Sequence, residues 1–153
     1  MTFGTMTPPL ATGEHVLDLI PQRPPFVLVD TLLEATTTRF RSAFTVPADH
    51  VLVEHGELSA SGLIENAAQT AAMGLGYVAK ERDTPAPIGF IGAVSKLQVE
   101  ARPLVGDRLE TLVELTHEVM MARVLEAVVS RGTEVLARLE LKVFLVEEVP
   151  ASV

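Results

Sequence analysis

Residues 59–80 hold the chain's one long helical candidate, and it is apolar on nearly every side. Ala60, Leu63, Ile64, Ala67, Ala68, Ala71, Ala72 and Leu75 cover most of its circumference. A helix apolar nearly all round is a buried helix, so the rest of the chain must supply a surface that encloses it. Ser59 suits the N-cap, although Gly62 denies it a capping box. Gly74 and Gly76 weaken the last turns, where the helix is expected to fray or end.

The enclosing surface is legible downstream, from Ile88 onward. Leu109, Thr111, Val113 and Leu115 alternate with Glu110, Leu112, Glu114 and Thr116, and Val135, Ala137, Leu139, Leu141, Val143 and Leu145 oppose Arg138, Glu140 and Lys142. Period two is the mark of half-buried antiparallel strands. Gly106-Asp107 and Ser130-Arg131-Gly132-Thr133 are the turn signals between them. Upstream, residues 14–20 suit one or two helical turns that Pro21 ends. Pro21-Gln22-Arg23-Pro24-Pro25 is a stiff connection into Phe26-Val27-Leu28-Val29, which reads as a buried strand paired with a second over residues 39–46. Two strands, one buried helix and about four long strands predict an α+β fold in which a curved antiparallel sheet wraps one helix. The 153 residues suit a single domain over 13–148 behind a loose leader over 1–12.

Charge and composition narrow the function classes. Lys and Arg number 12 against 20 Asp and Glu, a net charge of −8, which disfavours a footprint on nucleic acid or an anionic membrane. No apolar run approaches the length of about 18 residues that spans a bilayer, and residues 1–20 lack the Lys or Arg that starts a secretory signal. The absence of Cys excludes disulfides, iron–sulfur ligation and thiolate zinc sites, and the four scattered His show no metal-ligand spacing. No metal or cofactor is expected, and the expected compartment is the cytoplasm.

Several residues carry possible chemistry. Glu65 and Gln69 stand four apart, hence on one helix face, amid Ala and Leu. A carboxylate in apolar surroundings is unfavourable unless paired or useful, and burial favours the protonated form of a general acid; the alternative is a helix-edge Glu that reaches solvent. His50 and His55 precede the helix, where either could be a general base or an exposed loop residue. His117 shares a strand face with Val113 and Leu115, which suits a core or interface His. Gly89 and Gly92 in a strand-like segment suggest a bulge or a close backbone approach by a ligand. Residues 56–62 could leave backbone N–H groups free at the helix start, where Gly62 sits, to hold a carbonyl oxygen. Ser59 and Ser61, lacking a nucleophile elbow, suit capping.

Together these segments resemble the hot-dog-fold β-hydroxyacyl-acyl carrier protein dehydratases. Leu19-Ile20-Pro21-Gln22-Arg23-Pro24-Pro25-Phe26-Val27-Leu28-Val29-Asp30 resembles that family's opening L-P-H-R-x-P-F-L-L-V-D, and Gly62-Leu63-Ile64-Glu65-Asn66-Ala67-Ala68-Gln69 its helix motif G-V-L-x-x-E-x-x-A-Q. Residues 89–106, with Arg102-Pro103-Leu104-Val105-Gly106-Asp107, resemble its F-x-G-I segment and K-R-P-V-x-P-G-D turn. The likeness spans residues 17–146. It departs before the helix: the family's G-H-F-P-G-x-P-x-x-P-G places His fourteen residues ahead of its Glu, whereas here His55 stands ten and His50 fifteen ahead of Glu65. The upstream overlay selects His55 and implies a shortened loop without the H-F-P-G signature. That version resembles a divergent subgroup of polyene and resorcinol lipid pathways that includes non-catalytic partners.

The resemblance implies elimination of water from a 3-hydroxyacyl chain on acyl carrier protein, or an acyl-CoA thioester, in fatty acid or polyene lipid biosynthesis. His55 would remove the α-proton, and Glu65 of the other subunit would protonate the leaving hydroxyl beside Gln69. Backbone N–H groups at Gly62, Gly89 and Gly92 would hold the thioester carbonyl, and Arg102, Lys96 and Arg123 would dock the acidic carrier protein. The expected assembly is a homodimer, a dimer-based oligomer or a heterodimer with a paralogue. Two alternatives stand beside it: a non-catalytic acyl-binding or partner subunit, and a hot-dog thioesterase in which Glu65 activates water.

Overall fold

A computed structural model describes residues 7–146 of the protein. In chain order the elements are β1 (Ala11–Thr12), α1 (Glu14–Leu17), β2 (Thr31–Ala35), β3 (Arg39–Thr45), β4 (Val53–Glu54), β5 (Glu57–Leu58), α2 (Ala60–Glu81), β6 (Ile88–Val99), β7 (Arg108–Val119), β8 (Ala122–Arg131) and β9 (Glu134–Val146). Seven strands form one antiparallel sheet in the order β1-β2-β3-β7-β8-β9-β6, and β4 and β5 form a separate hairpin. This is the hot-dog architecture that the sequence resemblance implies, with α2 as the helix against the sheet.

Period two does what the alternation requires. Leu109, Thr111 and Val113 of β7, with Ala137, Leu139 and Leu141 of β9, point into the core against Leu63, Ala67 and Ala71 of α2. Gly106 and Gly132 take positive φ at the predicted turns. His117 departs from expectation: a register shift between Leu115 and His117 turns it to the exposed side, where its Nδ1 lies 3.1 Å from Thr116 Oγ1.

Ser59 caps α2, accepting from the Gly62 N–H at 3.2 Å. The helix does not fray at Gly74 and Gly76 but runs on to Glu81. Both glycines are there for close approach rather than termination. A Cβ on Gly74 would collide with the Phe40 ring, and one on Gly76 would collide with the Leu19 carbonyl oxygen. Tertiary contact thus overrides the low helix propensity of glycine.

Residues 26–29 are another correction. They lie outside any ladder, with Phe26 at a bend, and the strand that pairs with β3 is β2. Their backbone groups are taken by side chains instead. The Leu28 N–H donates to Gln69 Oε1 (2.7 Å), the Leu28 carbonyl accepts from Asn66 Nδ2 (2.7 Å), and the Phe26 carbonyl accepts from Gln69 Nε2 (2.9 Å). Of the stretch expected as a loose leader, Ala11 and Thr12 pair with Leu32 and Thr31 as β1, while residues 1–6 lie outside the described residues.

Candidate active site

Asn66, Gln69 and Thr70 are fully buried polar side chains on the face of α2 that meets residues 26–28 and the sheet. Buried polar groups persist where each finds a partner, and here they do. Thr111 Oγ1 donates to Asn66 Oδ1 (2.5 Å), Thr70 Oγ1 donates to the Asn66 carbonyl (2.7 Å), and the Ser42 and Thr70 hydroxyls lie 2.6 Å apart. This network bolts α2 to β3, β7 and residues 26–28. Its sequence signal was Asn and Thr four apart on an alanine-rich helix, a spacing that puts them on one face.

Gln69 ends that network at Glu65. Its Oε1 is used by Leu28, so its amide is oriented with Nε2 toward the Phe26 carbonyl and Glu65 Oε2, the latter at 3.3 Å. Glu65 is half-buried and stands on the wall of a cleft of about 550 Å³, within the range that holds small ligands. Ala68, Ala72 and Leu75 continue its stripe along the helix, and the short alanine side chains leave the space that larger ones would fill. Ile88, Gly89 and Ile91 of β6 with Leu125, Val143 and Leu145 supply sheet residues to the lining, and residues 18–22 complete it. Glu65 and Gln69, predicted together, are brought together, and the cleft beside them is apolar apart from Asp18, Gln22 and Glu65.

The two histidines before the helix have different surroundings. His50 is buried, edge-on to the Phe44 ring at 6.2 Å between centroids. The Leu52 N–H donates to its Nδ1 (3.1 Å), so the ring proton is on Nε2, which donates to the Val27 carbonyl (3.0 Å). Both nitrogens are engaged in bracing residues 26–28. His55 is exposed at the tip of the β4–β5 hairpin, in a two-residue turn with Gly56. Their φ values of 53° and 77° are those of a type I′ turn. The hairpin is fixed from below: the Leu58 N–H donates to the Pro103 carbonyl (2.8 Å) and the Val105 N–H to the Gly56 carbonyl (3.0 Å). It presents His55 outward from its own chain.

Of the three glycines, Gly89 lies on the cleft wall, Gly62 gives its N–H to Ser59, and Gly92 sits at a register shift in β6 against the Phe144 ring. The three candidate docking cations do not form one patch. Lys96 pairs with Glu140 at 3.2 Å, Arg123 with Glu118 at 2.8 Å, and Arg102 reaches Glu57 only at 3.9 Å. Arg123 lies opposite Val143, which pairs with Ile91, while Arg102 follows the far end of β6. Sequence reasoning did not single out Gln22, which shares the cleft with Glu65.

An ion pair that shifts a carboxyl lies away from the cleft. Burial alone would raise the Asp107 carboxyl, but the Leu104 N–H and Arg131, whose Nη1 lies 2.5 Å from Asp107 Oδ2, outweigh it and hold the carboxyl below its ordinary range. Among the described residues no group of three metal-ligating side chains occurs, and no helix is long and apolar enough to cross a membrane.

The family described as ApeP-like, ApeP dehydratase, matches residues 14–152. No curated protein matches the chain. Among solved structures, the dehydratase heterocomplex ApeI:P from Xenorhabdus doucetiae is similar with a TM-score of 0.77 at 21% identity, covering 87% of this chain and 91% of that one. An uncharacterized protein from Pyrococcus horikoshii gives 0.67 at 13% identity, with 93% and 97% covered. A hypothetical thioesterase with coenzyme A from Streptococcus pneumoniae gives 0.62 at 11% identity, with 75% and 84% covered. At these identities the three structures speak for the shared fold.

Proposed function

The chain belongs to the ApeP-like family of dehydratases, and we propose that it eliminates water from a 3-hydroxyacyl chain carried as a thioester on acyl carrier protein or coenzyme A in the cytoplasm. The observation that carries this reading is Glu65, oriented by Gln69 on the wall of an apolar cleft large enough for an acyl chain. His55 of one subunit takes the α-proton, and the electrons of that C–H bond become the second bond between Cα and Cβ. The Cβ–O bond breaks as Glu65 of the other subunit gives its proton to the leaving oxygen, which departs as water. Glu65 is left as carboxylate and His55 as imidazolium, and transfer of that proton back to Glu65 resets the pair. Gly89, on the cleft wall, is the best placed of the three glycines to polarise the thioester carbonyl; Gly62 would first have to release Ser59.

The reading draws on a second chain because His55 is exposed at the tip of its hairpin, while Glu65 stands on the wall of the cleft. The edge strand β6 is exposed along all twelve of its residues and carries Ile88, Phe90, Ile91, Val94, Leu97 and Val99. An unpaired apolar edge of that length invites another strand, so β6 is the proposed seam of a homodimer or of a heterodimer with a paralogue. The partner-subunit alternative draws on the missing H-F-P-G signature and on the heterocomplex named for the Xenorhabdus relative. The thioesterase alternative draws on the coenzyme A-bound Streptococcus structure.

Mass spectrometry of a 3-hydroxyacyl thioester incubated with the purified protein separates the three. Loss of water to an enoyl thioester supports the dehydratase, and release of free thiol identifies a thioesterase. Binding without turnover until a paralogue is added identifies a partner subunit.

A further inference from the structure

Along the cleft, the side chains of α2 change size once. After Glu65 the helix contributes only Ala68, Ala71 and Ala72 to the lining before Leu75. Leu75 is thus the first large side chain on that stripe, and it packs on the core cluster that holds Phe40 and Leu125. A second, smaller void of about 40 Å³ lies against Phe40 and Leu115, and Leu75 is the residue of α2 that lines it. The two spaces share four lining residues, Leu75 from the helix and Leu125, Val143 and Leu145 from the sheet. Those four side chains form the partition between them.

The backbone that carries Leu75 is held on two sides. A Cβ on Gly74 would collide with the Phe40 ring, and one on Gly76 would collide with the Leu19 carbonyl oxygen. Residues two apart face opposite sides of a helix, so α2 is gripped at this turn and cannot back away from the sheet. What blocks the passage is the Leu75 side chain itself.

We infer that Leu75 sets the length of acyl chain that the cleft accepts, by closing its inner end against Leu125, Val143 and Leu145. This rests on the acyl thioester proposed above, whether or not that thioester is turned over. Ten residues of helix separate Glu65 from Leu75, a distance of about 15 Å. With C3 beside Glu65 and the last carbon in contact with Leu75 at about 4 Å, about 11 Å is left for the chain. An extended chain advances about 1.2 Å per bond, so about nine bonds follow C3 and the acyl group holds about twelve carbons.

The test measures binding of octanoyl-, decanoyl-, dodecanoyl- and tetradecanoyl-pantetheine, below their micelle concentrations, to the wild-type, Leu75→Ala and Leu75→Phe proteins. In the wild type each added pair of carbons should tighten binding by about 10-fold as far as dodecanoyl, and tetradecanoyl should gain nothing more. Leu75→Ala joins the cleft to the void behind it and should carry the gain on to tetradecanoyl. Leu75→Phe should stop it at decanoyl. The readout is the ratio of affinities between neighbouring lengths within one protein, which a general loosening of the core would not move. The two variants shift the limit in opposite directions, so either one that folds, as judged by its melting transition, decides the matter. The same limit in wild type and variant overturns the inference and leaves the thioester reading intact, as does a wild type that gains with every added pair. Failure of the wild type to bind any of the four probes overturns that reading and the inference together.

Discussion

Replacing Gln69 with Leu tests whether side chains of α2 stand in for a β-ladder along residues 26–28. Leu28 is fully buried, and its N–H has Gln69 Oε1 as partner at 2.7 Å. Leu at position 69 nearly preserves volume but leaves that N–H unpaired, a loss of about 1–3 kcal/mol. Phe26 is 60% exposed, so water can replace Gln69 on its carbonyl and little is added there. A mid-range loss of about 2 kcal/mol corresponds to a melting temperature lower by about 4–8 °C for a domain of this size. Urea unfolding at unchanged m-value is the assay, with amide exchange at Leu28 as the local readout. Asn66→Leu releases the other side of Leu28, so the double variant should lose less than the sum, with a coupling of about 0.5–3 kcal/mol. A loss below about 0.5 kcal/mol, as for a surface position, or unchanged protection at Leu28, would show that Gln69 does not hold the segment.

Three other outcomes follow from the geometry. Because the Asp107 carboxyl titrates below its ordinary value of 3.8 in the folded protein, the unfolded chain binds more protons in acid; the stability it contributes is complete above that value and is lost as pH falls through the folded pKa. Asp107→Asn should flatten the acid limb of stability against pH, and an unchanged limb would contradict the pairing. Ala72→Leu should fill the cleft and weaken binding of acyl thioesters at least several-fold, while unfolding free energy falls by no more than about 3 kcal/mol; unchanged affinity would place the acyl chain elsewhere. Arg102 is the least committed of the three candidate docking cations, so Arg102→Glu should weaken carrier-protein binding in a salt-dependent way, and an unaltered binding constant would remove it from the interface.

The parts of the fold that repeat were legible in the chain. Alternation in β7 and β9 named their inner faces, and the alanine-rich stretch named the buried helix, because both patterns arise from local geometry that packing then satisfies. Residues 26–29 misled because a β-branched apolar run records burial and extension but not the partner of its N–H groups. Those partners, Asn66 and Gln69, lie about forty residues away, beyond the reach of any local pattern. Gly74 and Gly76 misled for the same reason, since Phe40 and Leu19 decide their meaning. At the site, Glu65 and Gln69 were visible from helix spacing and motif together. In the proposed pairing the relation of His55 to Glu65 is set between chains, and one chain's sequence carries no periodicity for that.

The central claim is that His55 of one subunit and Glu65 of the other form one acid–base pair. Mixing His55→Ala chains with Glu65→Gln chains tests it directly. Each variant alone should dehydrate a 3-hydroxyacyl thioester at least about 10²-fold more slowly than wild type. A mixed dimer restores one intact site of two, and statistical exchange makes half of the dimers mixed, so the mixture should recover about a quarter of wild-type turnover. A mixture no more active than its two components, with exchange of subunits verified by mass, would contradict the shared site.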